Sequence, residues 1–245
     1  MNNLIVTKSN AIVEASYKLT LNEQRILLSC ISKIDSRSEL SPDTEFIVDI
    51  KSFSETFGVS ETSAYSLIKE GAKALRKRSF NVLENGEWSE DLNWTSKVKY
   101  HKKEGQIGIH FGHHAIPYIS NLSKSFTSYR LNNIVNMTSV YSIRLYEMLL
   151  QWRKIGKVTF TMESFREALG IEKSEYKRMF DFKRKVLNLA VNQINENTDI
   201  NCNYLEVKKG RKITALEFHF GKYQATQMEL EETIKEIQAL KGRPE

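Results

Sequence analysis

A chain of 245 residues that is 40 % hydrophobic and 27 % charged has the composition of a globular protein, not a disordered one. Its 36 Lys and Arg against 30 Asp and Glu leave a formal charge of +6 and a pI near 9.1, a bias toward acidic partners such as nucleic acid. No apolar run approaches the roughly 20 residues of a membrane span, and Met1-Asn2-Asn3-Leu4-Ile5-Val6-Thr7-Lys8 lacks a signal-peptide core, so a cytoplasmic protein with no membrane partner is expected. Cys30 and Cys202 read as buried, reduced thiols, and with five scattered His they give no zinc spacing.

In chain order, Thr20-Leu21-Asn22-Glu23 fits a capping box, and Ile26, Leu27, Cys30, Ile31 and Ile34 follow at helical spacing. Residues 35–45, with Pro42, read as a loop, and Phe46, Val48 and Ile50 alternate as a short strand. A helix over about 51–57 then ends at Gly58, well placed for a left-handed cap. A second helix over about 61–78 turns Tyr65, Ile68, Ala72 and Leu75 inward. Asn85-Gly86 signals one hairpin, and residues 95–101 and 106–111 form another around Lys102-Lys103-Glu104-Gly105. Pro117 and the Ser/Asn/Thr-rich stretch from Ser120 to Asn133 argue against one continuous helix across 112–137.

The order then repeats. Ser52-Phe53-Ser54-Glu55-Thr56-Phe57-Gly58-Val59 recurs 112 residues on as Ser164-Phe165-Arg166-Glu167-Ala168-Leu169-Gly170-Ile171. Thr138 caps a helix to about Trp152 with Tyr141, Leu145, Met148 and Leu149 inward, and Val158 and Phe160 form a short strand. A helix-turn-helix spans 162 to about 196, and residues 200–207 pair with 212–220 as a wing. Residues 224–240 read as one more amphipathic helix. The fold class is therefore α+β: two tandem winged-helix domains, each a helix-turn-helix plus a β-hairpin wing, related by a pseudo-two-fold internal repeat. The division falls at 1–125 and 126–245.

The richest segment starts near Ser174. At about 100° per residue, Tyr176, Met179, Phe180, Val186, Leu187, Ala190 and Ile194 share one face. Lys177, Arg178, Asp181, Arg184, Lys185, Asn188 and Asn192 share the other, which carries the residue types that read guanine and adenine edges. Lys183 projects onto the apolar side: either the helix starts later or the side chain snorkels. At the wing tip, Lys208, Lys209, Arg211 and Lys212 surround Gly210 and suit phosphates. In the first copy, Ser63, Ser66, Glu70, Lys73 and Lys77, flanked by Lys69 and Arg76, make a milder face, expected to contribute more phosphate than base contacts.

Catalytic signals are poor. No Gly-x-x-x-x-Gly-Lys-Ser/Thr loop is present, and His110-Phe111-Gly112-His113-His114 fails the His-apolar-His spacing of a metal-dependent strand-nicking initiator. Glu55 and Glu167 read as surface or capping residues. No catalytic residue, metal ligand or cofactor is expected.

Leu19-Thr20-Leu21-Asn22-Glu23-Gln24-Arg25, Tyr141-Ser142-Ile143-Arg144-Leu145-Tyr146-Glu147, Tyr176-Lys177-Arg178-Met179-Phe180-Asp181-Phe182-Lys183-Arg184-Lys185 and Val207-Lys208-Lys209-Gly210-Arg211 together resemble the iteron-binding replication initiators of bacterial plasmids, over about residues 4–222. The resemblance implies two winged-helix domains gripping a directly repeated origin sequence in double-stranded DNA. It implies main base contacts from Arg178, Asp181, Arg184 and Lys185, with further contacts from Lys69 and Glu70 in an N-terminal domain that also dimerises. It further implies monomers that open A·T-rich DNA and recruit host initiator and replicative helicase, and dimers that bind an operator inverted repeat and repress the initiator's own gene. The alternatives are a winged-helix transcriptional regulator without initiation activity and the nicking enzyme.

Overall fold

The computed structural model describes residues 4–84, 87–88, 91–101 and 103–222. The expected helix over 224–240 and the centre of the Asn85-Gly86 turn lie outside them. Among the described residues no helix is long and apolar enough to cross a membrane.

The first half opens with β1 (Ile5–Ser9) and α1 (Asn10–Glu14), neither expected from the sequence. Next comes α2 (Leu21–Ile31), where Thr20 accepts from the Glu23 backbone and the Glu23 carboxylate accepts from the Thr20 N–H, as the capping box requires. After β2 (Phe46–Asp49) come α3 (Ile50–Phe57) and α4 (Glu61–Leu75). Short antiparallel pairs follow: β3 (Ser79–Phe80) with β6 (Leu92–Asn93), and β4 (Leu83–Glu84) with β5 (Glu87–Trp88). The wing is β7 (Thr95–His101) and β8 (Gln106–Phe111), and β2 completes an antiparallel sheet in the order β2–β8–β7.

Between the halves, 3₁₀ turns at His113–Tyr118 and Leu131–Asn133 flank β9 (Phe126–Arg130). The stretch holds no long helix, but it is not irregular throughout. β9 pairs with β1 from Ile5↔Arg130 to Ser9↔Phe126, so a strand just past residue 125 adds to the first residues of the chain. The second half runs α5 (Val140–Leu150), β10 (Lys157–Thr161), α6 (Met162–Ala168), α7 (Met179–Phe182), a π-helical turn at Lys183–Leu187, α8 (Asn188–Asn197), β11 (Ile200–Lys209) and β12 (Lys212–Lys222). Its sheet order, β10–β12–β11, matches β2–β8–β7 strand for strand, and each half is a winged helix.

The repeated octapeptide has a physical explanation. Asp49 and Thr161 cap α3 and α6 by accepting from the N–H groups of Ser52 and Ser164, the first residues of the two copies. Phe53 and Phe165 are buried one residue on. Gly58 and Gly170 close the helices at φ 63° and 65°, and the N–H groups of Val59 and Ile171 reach back to the carbonyls of Ser54 and Arg166. Glu55 and Glu167 are exposed.

The halves share a charged, buried junction. Arg144 on α5 is 1 % exposed and donates to the carbonyls of Ala15 and Ala168 and to the Tyr17 hydroxyl, with its guanidinium 3.9 Å from the Tyr17 ring centre. One helical turn on, Glu147 pairs with Lys8 on β1 at 2.7 Å and accepts from the Tyr129 hydroxyl on β9. Removing one member of such a buried pair typically costs about 3–5 kcal/mol, because the other charge is left in the interior.

Four expectations are corrected. Tyr65 is 43 % exposed; the inward positions of α4 are Ala64, Ile68, Ala72 and Leu75, one step round the helix. Ser139, not Thr138, holds the cap position of α5, and the side chain of Gln193 on α8 accepts from both their N–H groups. The helix expected from Ser174 begins at Met179, after Arg178 in extended backbone. Phe180 is 70 % exposed, and Phe182 takes the buried place.

Candidate nucleic-acid interface

The turn before the second half's long helix is six residues longer than its counterpart. In the first half Ser60 follows Gly58 almost directly and caps α4, accepting from the Ser63 N–H. In the second half Ile171–Arg178 intervenes between Gly170 and α7. Two cations fasten this longer turn. Arg166 donates to the carbonyls of Glu172, Glu175 and Tyr176 and lies over the Phe182 ring. Lys18, from the first half, pairs with Glu172 and Glu175 at 3.0 Å each. Those carboxylates hold the Lys18 ammonium above its ordinary range. The Glu172 N–H first and Lys18 second hold the Glu175 carboxyl below its own.

The helix beyond the turn is continuous through α7, the π turn and α8. Within the π turn the Asn188 N–H reaches five residues back, to the Lys183 carbonyl, and this wider turn shifts the phase on which a 100° projection relies. The inward stripe is therefore Phe182, Val186, Leu187, Ala190 and Ile194. Lys177, Arg178, Arg184, Lys185 and Asn188 are exposed and Asp181 half-buried. Of these, Lys177, Arg178, Asp181 and Lys185 line one shallow depression of about 420 Å³ together with Ser174, Glu175 and Tyr176. Arg184 stands beside it, 3.6 Å from the Asp181 carboxylate and 5.5 Å from the centre of the Phe180 ring. Asn188 is held from the wing, accepting from the Tyr204 hydroxyl at 2.8 Å.

Lys183 does not face outward with them. Both halves of the sequence dilemma hold: the helix starts late, and Lys183 runs along the wing to pair with Glu206 on β11. Glu206 also pairs with Lys208 at 3.2 Å, and Lys183 first and Lys208 second hold its carboxyl below the usual range. Lys208, Lys209, Arg211 and Lys212 are exposed at the wing tip. Arg211 and Lys212 share a groove of about 550 Å³ with Arg166, Lys173 and Lys177, so the wing and the long turn meet across a basic trough.

In the first half, Lys69, Glu70, Lys73 and Lys77 are all exposed, with Lys69, Lys73 and Lys77 four residues apart along one side of α4. The Lys69 ammonium lies 5.8 Å from the Tyr65 ring centre. Lys77, just past α4, opens onto a cleft of about 410 Å³ between the halves, lined also by Lys18, Arg78, Glu167, Glu172 and Lys173.

Sequence reasoning missed Lys18, Lys173, Glu206 and Phe180. Lys18 and Lys173 line one cleft only because the halves dock, which no local pattern reports. Glu206 carried a readable signal, since a carboxylate two residues before Lys208 on a strand points to the same side.

The matches to known proteins agree with this architecture. Residues 5–150 match the family "Initiator Replication protein, WH1" and residues 161–220 match "Initiator Rep protein, WH2". An Escherichia coli replication initiation protein is 25 % identical over 230 residues, covering 89 % of this chain and 70 % of the relative. The Escherichia coli PI protein is 25 % identical over 237 residues, covering 83 % and 78 %. An uncharacterized 27.6 kDa Escherichia coli protein reaches 29 % over 211 residues, covering 81 % and 88 %. Among solved structures, the Pi initiator protein in complex with iteron DNA shares the fold with a TM-score of 0.77 at 24 % identity, over 92 % of this chain and all of that one. With both winged-helix models accounting for nearly all the described residues, the chain belongs to the initiator replication protein family.

Proposed function

We infer that this protein is a plasmid replication initiator that binds directly repeated origin sequences in double-stranded DNA. The observation that carries the reading is the second winged helix, where Lys177, Arg178, Asp181 and Lys185 line one open depression, with Arg184 against Asp181 and Asn188 exposed next to the basic wing. In the relative of like fold, the Pi initiator, the bound molecule is iteron DNA. Arg178, Arg184 and Lys185 donate to guanine edges, Asn188 serves adenine, and Asp181 accepts from cytosine. Lys177, Lys208, Lys209, Arg211 and Lys212 neutralise phosphates, and Lys183 acts through Glu206 on the posture of the wing. Lys69, Glu70, Lys73 and Lys77 make the secondary contacts of the first domain, which also carries self-association.

Two modules on successive major grooves sit about 34 Å apart, so one monomer reads a non-palindromic site of roughly 20 base pairs. The origin then opens, and host initiator and helicase are recruited. The role is DNA binding, with no catalytic step assigned to any residue. The supporting experiment selects bound duplexes from a random pool. Direct repeats of one long asymmetric site support initiation; a lone palindrome points to a transcriptional regulator. Arg184→Ala should lower affinity for the selected site by about 1–3 kcal/mol and relax one base pair. Equal loss on selected and random DNA removes Arg184 from base reading.

A further inference from the structure

Phe180 is the most exposed large apolar side chain among the described residues, at 70 %. It does not stand at a loop tip or on the back of the molecule. It lies in the first turn of the long helix of the second winged domain, one residue before Asp181 and four before Arg184. Its ring centre is 5.5 Å from the Arg184 guanidinium, and Asp181 approaches the same guanidinium at 3.6 Å. Phe180 therefore belongs to the base-reading surface of the function proposed above, on which this inference rests. The helical projection placed it in the core, where Phe182 is found instead.

An aromatic ring left in water forfeits the burial that a Phe normally gains, and a partner that covers it restores that burial. In a major groove the choice of apolar partner is narrow. Base edges there present acceptors and donors, and the one apolar group of the unmodified bases is the thymine C5-methyl. Contact through phosphates gives an uncharged ring nothing, and insertion between bases is the habit of side chains in the minor groove. Arg184 covers part of the ring and leaves the rest open, so ring and guanidinium present side by side an apolar and a donor surface. These match a thymine methyl next to a guanine edge.

We propose that Phe180 is a specificity-determining residue that recognises the methyl group of a thymine adjacent to the base pair read by Arg184.

The test uses the full chain and the duplex selected from a random pool, with each thymine replaced in turn by deoxyuridine, which lacks only the methyl. One thymine is expected at which deoxyuridine weakens binding of the unaltered protein about fourfold, the value of one buried methyl-sized group. Phe180→Ala should bind the thymine and deoxyuridine duplexes at that position equally, with an unchanged unfolding midpoint because the side chain is exposed. Phe180→Leu, which keeps an apolar surface, should retain part of the discrimination. If deoxyuridine has no effect at any position, or if Phe180→Ala discriminates as well as the unaltered protein, the inference is overturned while DNA reading stands. Failure of the unaltered protein to prefer the selected duplex over random DNA overturns both.

Discussion

The duplicated turn supplies an internally controlled experiment. Gly58 and Gly170 occupy equivalent positions at φ 63° and 65°, so replacing either by Ala imposes the same backbone cost, about 1–2 kcal/mol for a left-handed residue with a Cβ. Their surroundings differ. A Cβ at Gly58 meets nothing within 4 Å, whereas one at Gly170 would stand 2.1 Å from the Tyr17 carbonyl oxygen, 2.8 Å from its carbon and 3.3 Å from the Lys18 Cα. Ordinary C···O contact begins near 3.3 Å, so the segment carrying Tyr17 must retreat by about 1 Å. That segment includes the Ala15 carbonyl and Tyr17 hydroxyl bound by Arg144, and Lys18 with its two glutamates. Overpacking of this kind costs about 1–3 kcal/mol, which adds to the conformational term. Gly58→Ala should therefore lose about 1–2 kcal/mol and Gly170→Ala about 2–5 kcal/mol, measured from urea unfolding midpoints under one set of conditions. Equal losses would refute the claim that the second turn is clamped by the first half.

Two further outcomes follow from the charge geometry. Lys208 shares Glu206 with Lys183, while Lys209 is not in that pair, so Lys209→Ala should lower the salt slope of DNA binding by about 0.9 and Lys208→Ala by less. Unchanged slopes in both would take the wing off the phosphates. On the first wing, Lys99 foremost and then His101 hold the Glu45 carboxyl down at about 2, from an ordinary 4.5. A depressed carboxylate contributes stability that is complete above pH 4.5 and disappears as pH falls through 2, and Glu45→Gln should flatten the acid arm of the unfolding midpoint between those values. The same acid arm in the variant and the parent would remove Glu45 from the acid response.

The sequence was legible wherever structure is set by neighbours along the chain. The Thr20/Glu23 box, the glycines at 58 and 170, and both wings depend on local caps, turns and period-two alternation, and each was placed to within a few residues. β1 was not readable because its register is set by a strand more than a hundred residues away, and Lys8 interrupts its apolar run. That lysine is 1 % exposed only because Glu147 waits for it on α5. The long helix failed for a different reason. A projection assumes one start and one pitch, whereas this helix starts at Met179 and widens into a π turn four residues later. The late start removes Tyr176 from the helix, and the extra residue of the π turn shifts the phase between its first turn and Leu187, Ala190 and Ile194, which exchanges Phe182 for Phe180 at the inward position.

The asymmetry between the copies now has a structural origin. Both begin from the same cap, phenylalanine and glycine, and diverge in the six residues added after Gly170. The added turn carries Glu172, Glu175 and Lys177, and it is held from one side by Lys18 of the first half and from the other by Arg166 of the same motif. The first copy has no such insertion, so α4 follows its turn at once and presents a row of lysines beside Glu70. A longer turn would ordinarily loosen the helix it introduces, because more backbone must be ordered. Here both added carboxylates meet Lys18, and the carbonyls of Glu172, Glu175 and Tyr176 meet Arg166, which ties down the segment that leads to Arg178 and Phe180. The insertion that sets the second copy apart is thus also the piece through which the first half holds the start of the second copy's long helix.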